Sequence, residues 1–401
     1  MIAGLYFAYG VFVVFTTINA LRRPSPPTSR LPAIWILAML NGELPALTLL
    51  SRVAVTVGAW LLGAFDNRVG RWGLWLVGMS MLGLPVLWWR TRQAHRTLGV
   101  DVPPTSDSLA IRLTGWARRL PDHLEIDGPH AVAADVAIDF YRRRDHDPTL
   151  AHPTFVYLHG GSWTGGDPHA QSRPLLHLLA ERGWLVATVR YPLSPAATFP
   201  DHLVGVKRAL AWLRVEGPSY GVDPDAIVVA GGSAGGHLAA LAALTPNRPQ
   251  YQPGFEEVDT SVAACVPMYG IYDFLNRNRT RHDWPLIPNI VMKRDPVSDP
   301  DAFRAASPLD QVSSEAPPFL VVHGSHDSLV PPTEARIFVQ ALRERSQSEV
   351  RYLEVPGAQH AFDAVSSPRS RRVAAAITDF LGSVIWTDRE AQRPSWDAAE
   401  Q

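Results

Sequence analysis

The stretch VVAGGSAGGHLAALAAL, Val228 to Leu244, decides how the rest of the chain is read. An apolar run meets four glycines, Gly231, Gly232, Gly235 and Gly236, set around one serine, Ser233, and an Ala/Leu-rich segment follows. The first part reads as a strand and the last as a helix. A strand that passes straight into a helix needs a very tight turn. The apex residue is forced into an unfavourable backbone conformation, and its neighbours must be small. Gly231-Gly232-Ser233-Ala234-Gly235 fits G-x-S-x-G, a turn that lifts a nucleophilic hydroxyl above a sheet and sets a helix N-terminus behind it. Glycines before a helix also cradle phosphates, but G-x-G-x-x-G fits at no register and no Lys follows. The remaining alternative is a tight turn without chemistry.

A serine hydroxyl is a poor nucleophile at neutral pH and needs a base, which in turn needs an orienting acid. Downstream, the strand-like PFLVVHG is followed by SHDSLVP with Asp327, and VRYLEVPG by AQHAFD with His360. Both loops follow strands, where a parallel sheet collects functional groups, and the order Ser, acid, His suits such a sheet. Asp273, in YGIYDF, is the rival acid. His326 adjoins Asp327 too closely to face it, His237 points down the helix, and His323 packs before its loop. Upstream, HGGSW spans His159 to Trp163. The amides of Gly160 and Gly161, with that of Ala234, are candidate donors to a developing oxyanion; the His159 side chain braces their loop.

Around these motifs, apolar strand-like runs alternate with helical spacing: AVAADVAIDFYRR, TFVYLHGG, GWLVATVRYPL, HLVGVKRALAWLR, VAACVPMYG. The alternation predicts an α/β fold, a mostly parallel, doubly wound sheet over residues 121–385. From 271 to 308 the chain is longer than one crossover helix requires. DWPLIPNIVMKRDP within it is either an apolar insertion over the site or a crossover helix with an ordinary core face. Trp163, Trp284 and Ile287 are the candidate pocket residues.

The first ninety residues differ in composition, and many of the 13 tryptophans lie before residue 120. Ile2 to Leu21 carries no charge over 20 residues, enough for a helix of roughly 30 Å, the thickness of a bilayer's hydrocarbon. It lacks a basic n-region and a cleavage pattern, so it reads as an anchor rather than a removed signal. Trp72 to Trp89 is a second uncharged run, with tryptophans at both ends. Between them, Leu31 to Phe65 is apolar but interrupted by NGELP and Arg52. The expectation is a helical transmembrane domain over 1–90 with about three spans. A linker over 91–120 follows, in which Leu109, Leu113, Trp116 and Leu120 form one helical stripe, either on the membrane interface or packed on the next domain. A polar tail covers 386–401. Arg22, Arg23 and Arg30 after the first span, and Arg90, Arg92 and Arg96 after the last, outweigh Arg68 and Arg71 between. With three spans the positive-inside rule then leaves the N-terminus outside and the catalytic domain in the cytoplasm. Net charge is −1, which gives nucleic acid no purchase, and the lone Cys265 permits no intrachain disulfide.

YLHGGSWTGGD, RYPLSP, GGSAGGHLAAL and HGSHDSLVP together resemble the α/β-hydrolase superfamily, within it the HGG-type esterases and lipases of the hormone-sensitive-lipase-like and arylformamidase- or feruloyl-esterase-like groups. With its hydrophobic start, the chain also resembles membrane-associated lipase/esterases of actinobacteria. The resemblance implies a Ser233–Asp327–His360 triad, no metal or cofactor, and a small-molecule or lipid ester as substrate. Two positions depart from it. Ser162 stands where H-G-G-G has its third glycine, which leans toward the arylformamidase side, and Gly232 stands where the hormone-sensitive-lipase group has Asp. The expected function is a membrane-anchored serine carboxylic-ester hydrolase. The alternatives are an arylformamidase-like amidohydrolase and an inactive hydrolase-like receptor or scaffold.

Overall fold

The computed structural model describes residues 1–22, 34–98 and 120–385. The expected interfacial stripe up to Trp116 and the polar tail lie outside the described residues. The chain opens with helices α1 (Ile2–Leu21), α2 (Ile34–Glu43), α3 (Pro45–Leu61), α4 (Arg68–Leu82) and α5 (Leu84–Leu98). The interruption at NGELP has a covalent cause. Pro45 has no N–H and crowds the residue before it out of helical conformation, and Leu44 sits at φ −123°, ψ 50°. The helices on either side meet at 100°. By length and composition, Ile2–Leu21 and Arg68–Thr91 are each sufficient to cross a membrane, and the bent pair passes the same test together.

α1 and α4 run parallel and touch through glycine. A Cβ on Gly73 would lie 2.9 Å from the Tyr6 ring, and one on Gly83 would lie 2.5 Å from Thr17. α3 runs the other way: Thr56 bonds Tyr6 at 2.9 Å, and Arg52 bonds Thr17 at 2.8 Å. Arg52, ambiguous in the sequence, is buried and also donates to Ser80 O at 3.0 Å. It is turned inward among the helices, where its polar partners lie.

The second part is one eight-stranded sheet in the order β1-β2-β4-β3-β5-β6-β7-β8. Its elements, in chain order, are β1 (Leu124–Ala133), β2 (Val136–Arg143), β3 (His152–Leu158), α6 (Arg173–Glu181), β4 (Leu185–Arg190), α7 (Asp201–Val215), β5 (Val222–Gly232), α8 (Ala234–Leu244), β6 (Ala264–Met268), α9 (Pro300–Ala305), α10 (Pro308–Gln311), β7 (Phe319–Gly324), α11 (Pro332–Arg345), β8 (Val350–Val355) and α12 (Pro368–Ile385). β1, β2 and β4 pair antiparallel, and β4, β3 and β5 to β8 pair parallel. AVAADVAIDFYRR, which reads as a single strand, is instead parts of two, turning at Ala134-Asp135. The sheet is covered on both faces, because alternate side chains of a strand point to opposite sides and both sets are apolar here. On one face, Val156, Leu158 and Val229 pack with Val206 of α7, Leu238 of α8 and Phe338 of α11. On the other, Phe155, Tyr157 and Val228 pack with Leu176 of α6 and Ile377 of α12.

The 271–308 segment joins the first of these cores. Ile287, Val291 and Met292 lie on one π-helical turn and are buried. Phe199 N donates to Val291 O at 2.9 Å, which ties the segment to the RYPLSPAATFP loop.

Candidate active site

Every group of the expected triad sits just beyond a parallel strand. Ser233 occupies the one-residue turn between β5 and α8 at φ 56°, ψ −118°, a conformation that costs a residue with a side chain about 1–3 kcal/mol. The glycines make this possible. A Cβ on Gly235 would stand 1.9 Å from Leu158 O, and one on Gly231 would stand 2.5 Å from Gly235. β3, β5 and α8 therefore touch backbone to backbone beneath the serine.

Ser233 Oγ lies 2.9 Å from His360 Nε2, and His360 Nδ1 lies 2.7 Å from Asp327 Oδ2. The carboxylate can only accept, so Nδ1 carries the proton and Nε2 faces the serine hydroxyl as an acceptor. Asp327 is fully buried; its Oδ1 accepts from Leu329 N at 2.9 Å and Val330 N at 2.8 Å. Burial pushes its carboxyl up, and the charge of His360 with the hydrogen bonds from His323 and His360 pulls it further down, to about 2. The two loops are stitched to each other: His326 N donates to Ala358 O at 2.9 Å, Gly357 N to Ser325 Oγ at 2.8 Å, and Ser328 N to Gln359 Oε1 at 3.1 Å.

The rival acid, Asp273, is held elsewhere. It accepts from Leu275 N at 3.1 Å and Arg277 N at 2.9 Å and pairs with the Arg277 guanidinium. His323 lies 2.8 Å from Val330 O inside the acid's loop, and His326 meets Arg90 of α5 at 3.3 Å. His237 accepts the Trp163 indole N–H at 3.2 Å, with its other nitrogen 2.8 Å from Ala306 O. Burial pushes it down to about 3. His159 stacks on Tyr191 at 4.5 Å.

Gly160 departs from expectation. Its N–H donates to Gln171 Oε1 at 2.8 Å, so that amide is already engaged. Among the described residues, no acceptor bonds the N–H of Gly161 or of Ala234. Gly161 has φ 139°, and a Cβ there would stand 2.0 Å from Gly165 O. Trp163 is 1% exposed and packs on His237 and Phe274, which holds the HGGSW loop from within the core. Ile287 is buried in the same cluster, while Trp284 is partly buried with the Arg281 guanidinium 6.0 Å over its ring.

Gly232 has a local reason. The Tyr269 hydroxyl lies 2.4 Å from where its Cβ would stand, occupying the space of an acid side chain. The Tyr269 ring meets His360 at 4.8 Å, and its hydroxyl donates to the buried Asp363 at 2.5 Å. Ser172 also bonds Asp363. Burial raises the Asp363 carboxyl, with Ser172 and Tyr269 opposing. Sequence reading missed Tyr269, Asp363, Gln171 and Ser172. Only VPMYG, which carries β6 into Tyr269, and AQHAFD, in the loop after β8, carry any signal for the first two. Among the described residues, no group of His, Cys, Asp and Glu is arranged to hold a metal.

The BD-FAE family model matches residues 138–342, from β2 into α11. The chain is 38% identical over 387 residues to a probable carboxylic ester hydrolase, LipM, of Mycobacterium tuberculosis, spanning 90% of this chain and 88% of that protein. The chain belongs to the BD-FAE family. It is an ester-hydrolysing enzyme of the HGG type, within the α/β-hydrolase superfamily. A second relative, esterase LipQ of the same organism, is 46% identical over 305 residues, covering 73% of this chain and 71% of that one. Among solved structures, the native esterase 2 of Thermogutta terrifontis superposes with a TM-score of 0.54 at 24% identity, over 69% of this chain and 99% of that one. That likeness concerns the fold.

Proposed function

We propose that the chain is a membrane-anchored serine carboxylic-ester hydrolase acting through an acyl-enzyme on an apolar acyl ester. The observation that carries this reading is the unbroken hydrogen-bond chain from Ser233 through His360 to the buried Asp327. In this mechanism His360 Nε2 takes the Ser233 proton as Oγ attacks the acyl carbonyl, and Asp327 holds the imidazole in the required tautomer and balances its positive charge. The Gly161 and Ala234 amides hold the oxyanion, and one such donor is worth about 3–4 kcal/mol of barrier. His360 then gives the proton to the departing alcohol. Water, activated by the same nitrogen, releases the acid and restores Ser233. A fluorophosphonate probe should modify Ser233, and Ser233→Ala should abolish both labelling and turnover. Modification of another serine with activity intact overturns the mechanism. A panel of p-nitrophenyl esters of rising chain length, run beside N-formylkynurenine, separates this reading from the arylformamidase-like one that Ser162 and Trp163 favour.

The division of the chain follows the same reading: a membrane domain over 1–90, a linker over 91–120, a catalytic domain over 121–385, and a tail. Three crossings are supported by the parallel packing of α1 and α4, because the chain between two parallel crossings must return once. The N-terminus and the hydrolase then lie on opposite sides, and the arginine distribution favours a cytoplasmic hydrolase. With Cys265 replaced by Ser, single cysteines near residues 26, 69 and 104 can be labelled on intact cells with an impermeant maleimide. Labelling at 69 alone is the expected pattern, and labelling at 104 refutes the topology.

A further inference from the structure

We infer that α2 forms a wall of the active site and that the ester admitted there is a long-chain one, dissolved in the bilayer and guided by Trp35. The inference rests on the serine-hydrolase reading above. The indole of Trp35 meets the His360 ring edge-on, with centroids 5.3 Å apart and planes at 81°. Trp35 opens the short arm of the bent pair, well before the first strand of the sheet. Among the described residues ahead of that strand, it is the one side chain in ring contact with the triad.

The surrounding contacts hold it there. Glu43, at the far end of α2, is buried and paired with Arg369, and it accepts from Ser367 Oγ at 2.7 Å. Arg90 of α5 donates to Leu21 O at 2.8 Å and meets His326, which adjoins the triad acid, at 3.3 Å. The loops that carry His360 and Asp327 are thus seated directly on the helices. α2 departs from α3 by 100°, so where α3 follows the apolar stack, α2 turns across the loops of the triad. Its Ala38 and Met39 are buried, while Ile36 and Leu40 are 40% and 37% exposed. Ala38 packs with Ala20 of α1 and with Leu84 and Leu87 of α5, so α2 reaches the catalytic domain through Trp35 and Glu43 at its two ends and leaves aliphatic surface at Ile36 and Leu40 between them, as α3 does at the exposed Leu49, Leu50 and Val53.

An acyl chain in lipid is already out of water, so it gains little from burial as such. What selects it is a continuous apolar path from the bilayer to the reacting carbon. A short, water-soluble ester needs no such path.

The test uses the full chain in phosphatidylcholine vesicles and an alkyl fluorophosphonate bearing a diazirine in mid-chain. Ser233 Oγ displaces fluoride from phosphorus, and irradiation then attaches the chain to whatever lines its route. The expected result is phosphorus on Ser233 and carbene adducts on Trp35, Ile36 or Leu40. Phosphorus on Ser233 with adducts confined to residues 271–308 overturns the inference while leaving the triad standing. Lack of phosphorus on Ser233 overturns the triad and the inference together. A second readout is the ratio of kcat/KM for a dodecanoate ester to that for an acetate ester. Trp35→Ala should lower this ratio roughly tenfold and Trp35→Phe should largely restore it. Equal losses on both esters would mark Trp35 as merely structural. If the alanine variant does not fold, the phenylalanine variant and the photolabel still decide.

Discussion

At the scale of single residues, the acid is the point where two readings of the chain diverge. Asp327 and Asp273 both follow parallel strands, and only Asp327 reaches His360. Asp327→Asn preserves shape but lets the imidazole settle in the wrong tautomer, so turnover should fall by about 10⁴. Asp273→Asn should instead lower the melting temperature, since it weakens the Arg277 pair, with a far smaller effect on turnover. A crippled Asp273→Asn beside a near-normal Asp327→Asn would reverse the assignment. Asp327 also sets a pH dependence. Its folded-state pKa, about 2, lies below its ordinary 3.8. The stability it contributes is therefore present above pH 3.8 and is lost as pH falls toward about 2. Measured by denaturation, the stability difference between wild type and Asp327→Asn should shift in favour of Asn by about 2 kcal/mol as pH falls through that window. Constant separation down to the lowest pH would contradict the carboxylate's low pKa.

At the scale of elements, the elbow is legible in the sequence because its glycines answer a local steric demand that every strand–turn–helix of this kind makes. Gly235 is the sharpest case, and Gly235→Ala should prevent α8 from seating against β3, with a large drop in melting temperature and loss of fluorophosphonate labelling. Retained labelling at wild-type rate would mean that the backbone contact relaxes. The partners of the elbow are legible for a different reason: strand ends converge, so position after a strand is already position in space. The hairpin of β1 and β2 is not legible. Its turn, Ala134-Asp135, has none of the Asn-Gly chemistry that marks tight hairpins, and Gly128-Pro129 inside β1 looks like a break. Gln171 is equally hidden. Its bond to the Gly160 amide depends on how the loop before α6 folds back, which no periodicity encodes.

At the scale of the whole molecule, composition separates an apolar start from an α/β remainder, but nothing in it says that the two meet at His360. Trp35 touches His360 and Glu43 touches Arg369 across most of the chain's length, and such contacts follow from docking, not from local pattern. The Glu43–Arg369 pair is buried on both sides. Glu43→Ala leaves an uncompensated guanidinium and should cost about 3–5 kcal/mol. Pairing it with Arg369→Met should recover much of that loss, as read by melting of the detergent-solubilised protein. If the double variant is no more stable than the single one, the pair is not what joins the two parts. A joint of this kind constrains exchange between relatives. Grafting the helical half of one esterase onto the sheet of another transplants Trp35 and Glu43 away from the surfaces that fit them. A working chimera would have to carry both edges of the joint from one parent, so the two halves are expected to be inherited as a unit, not shuffled as independent modules.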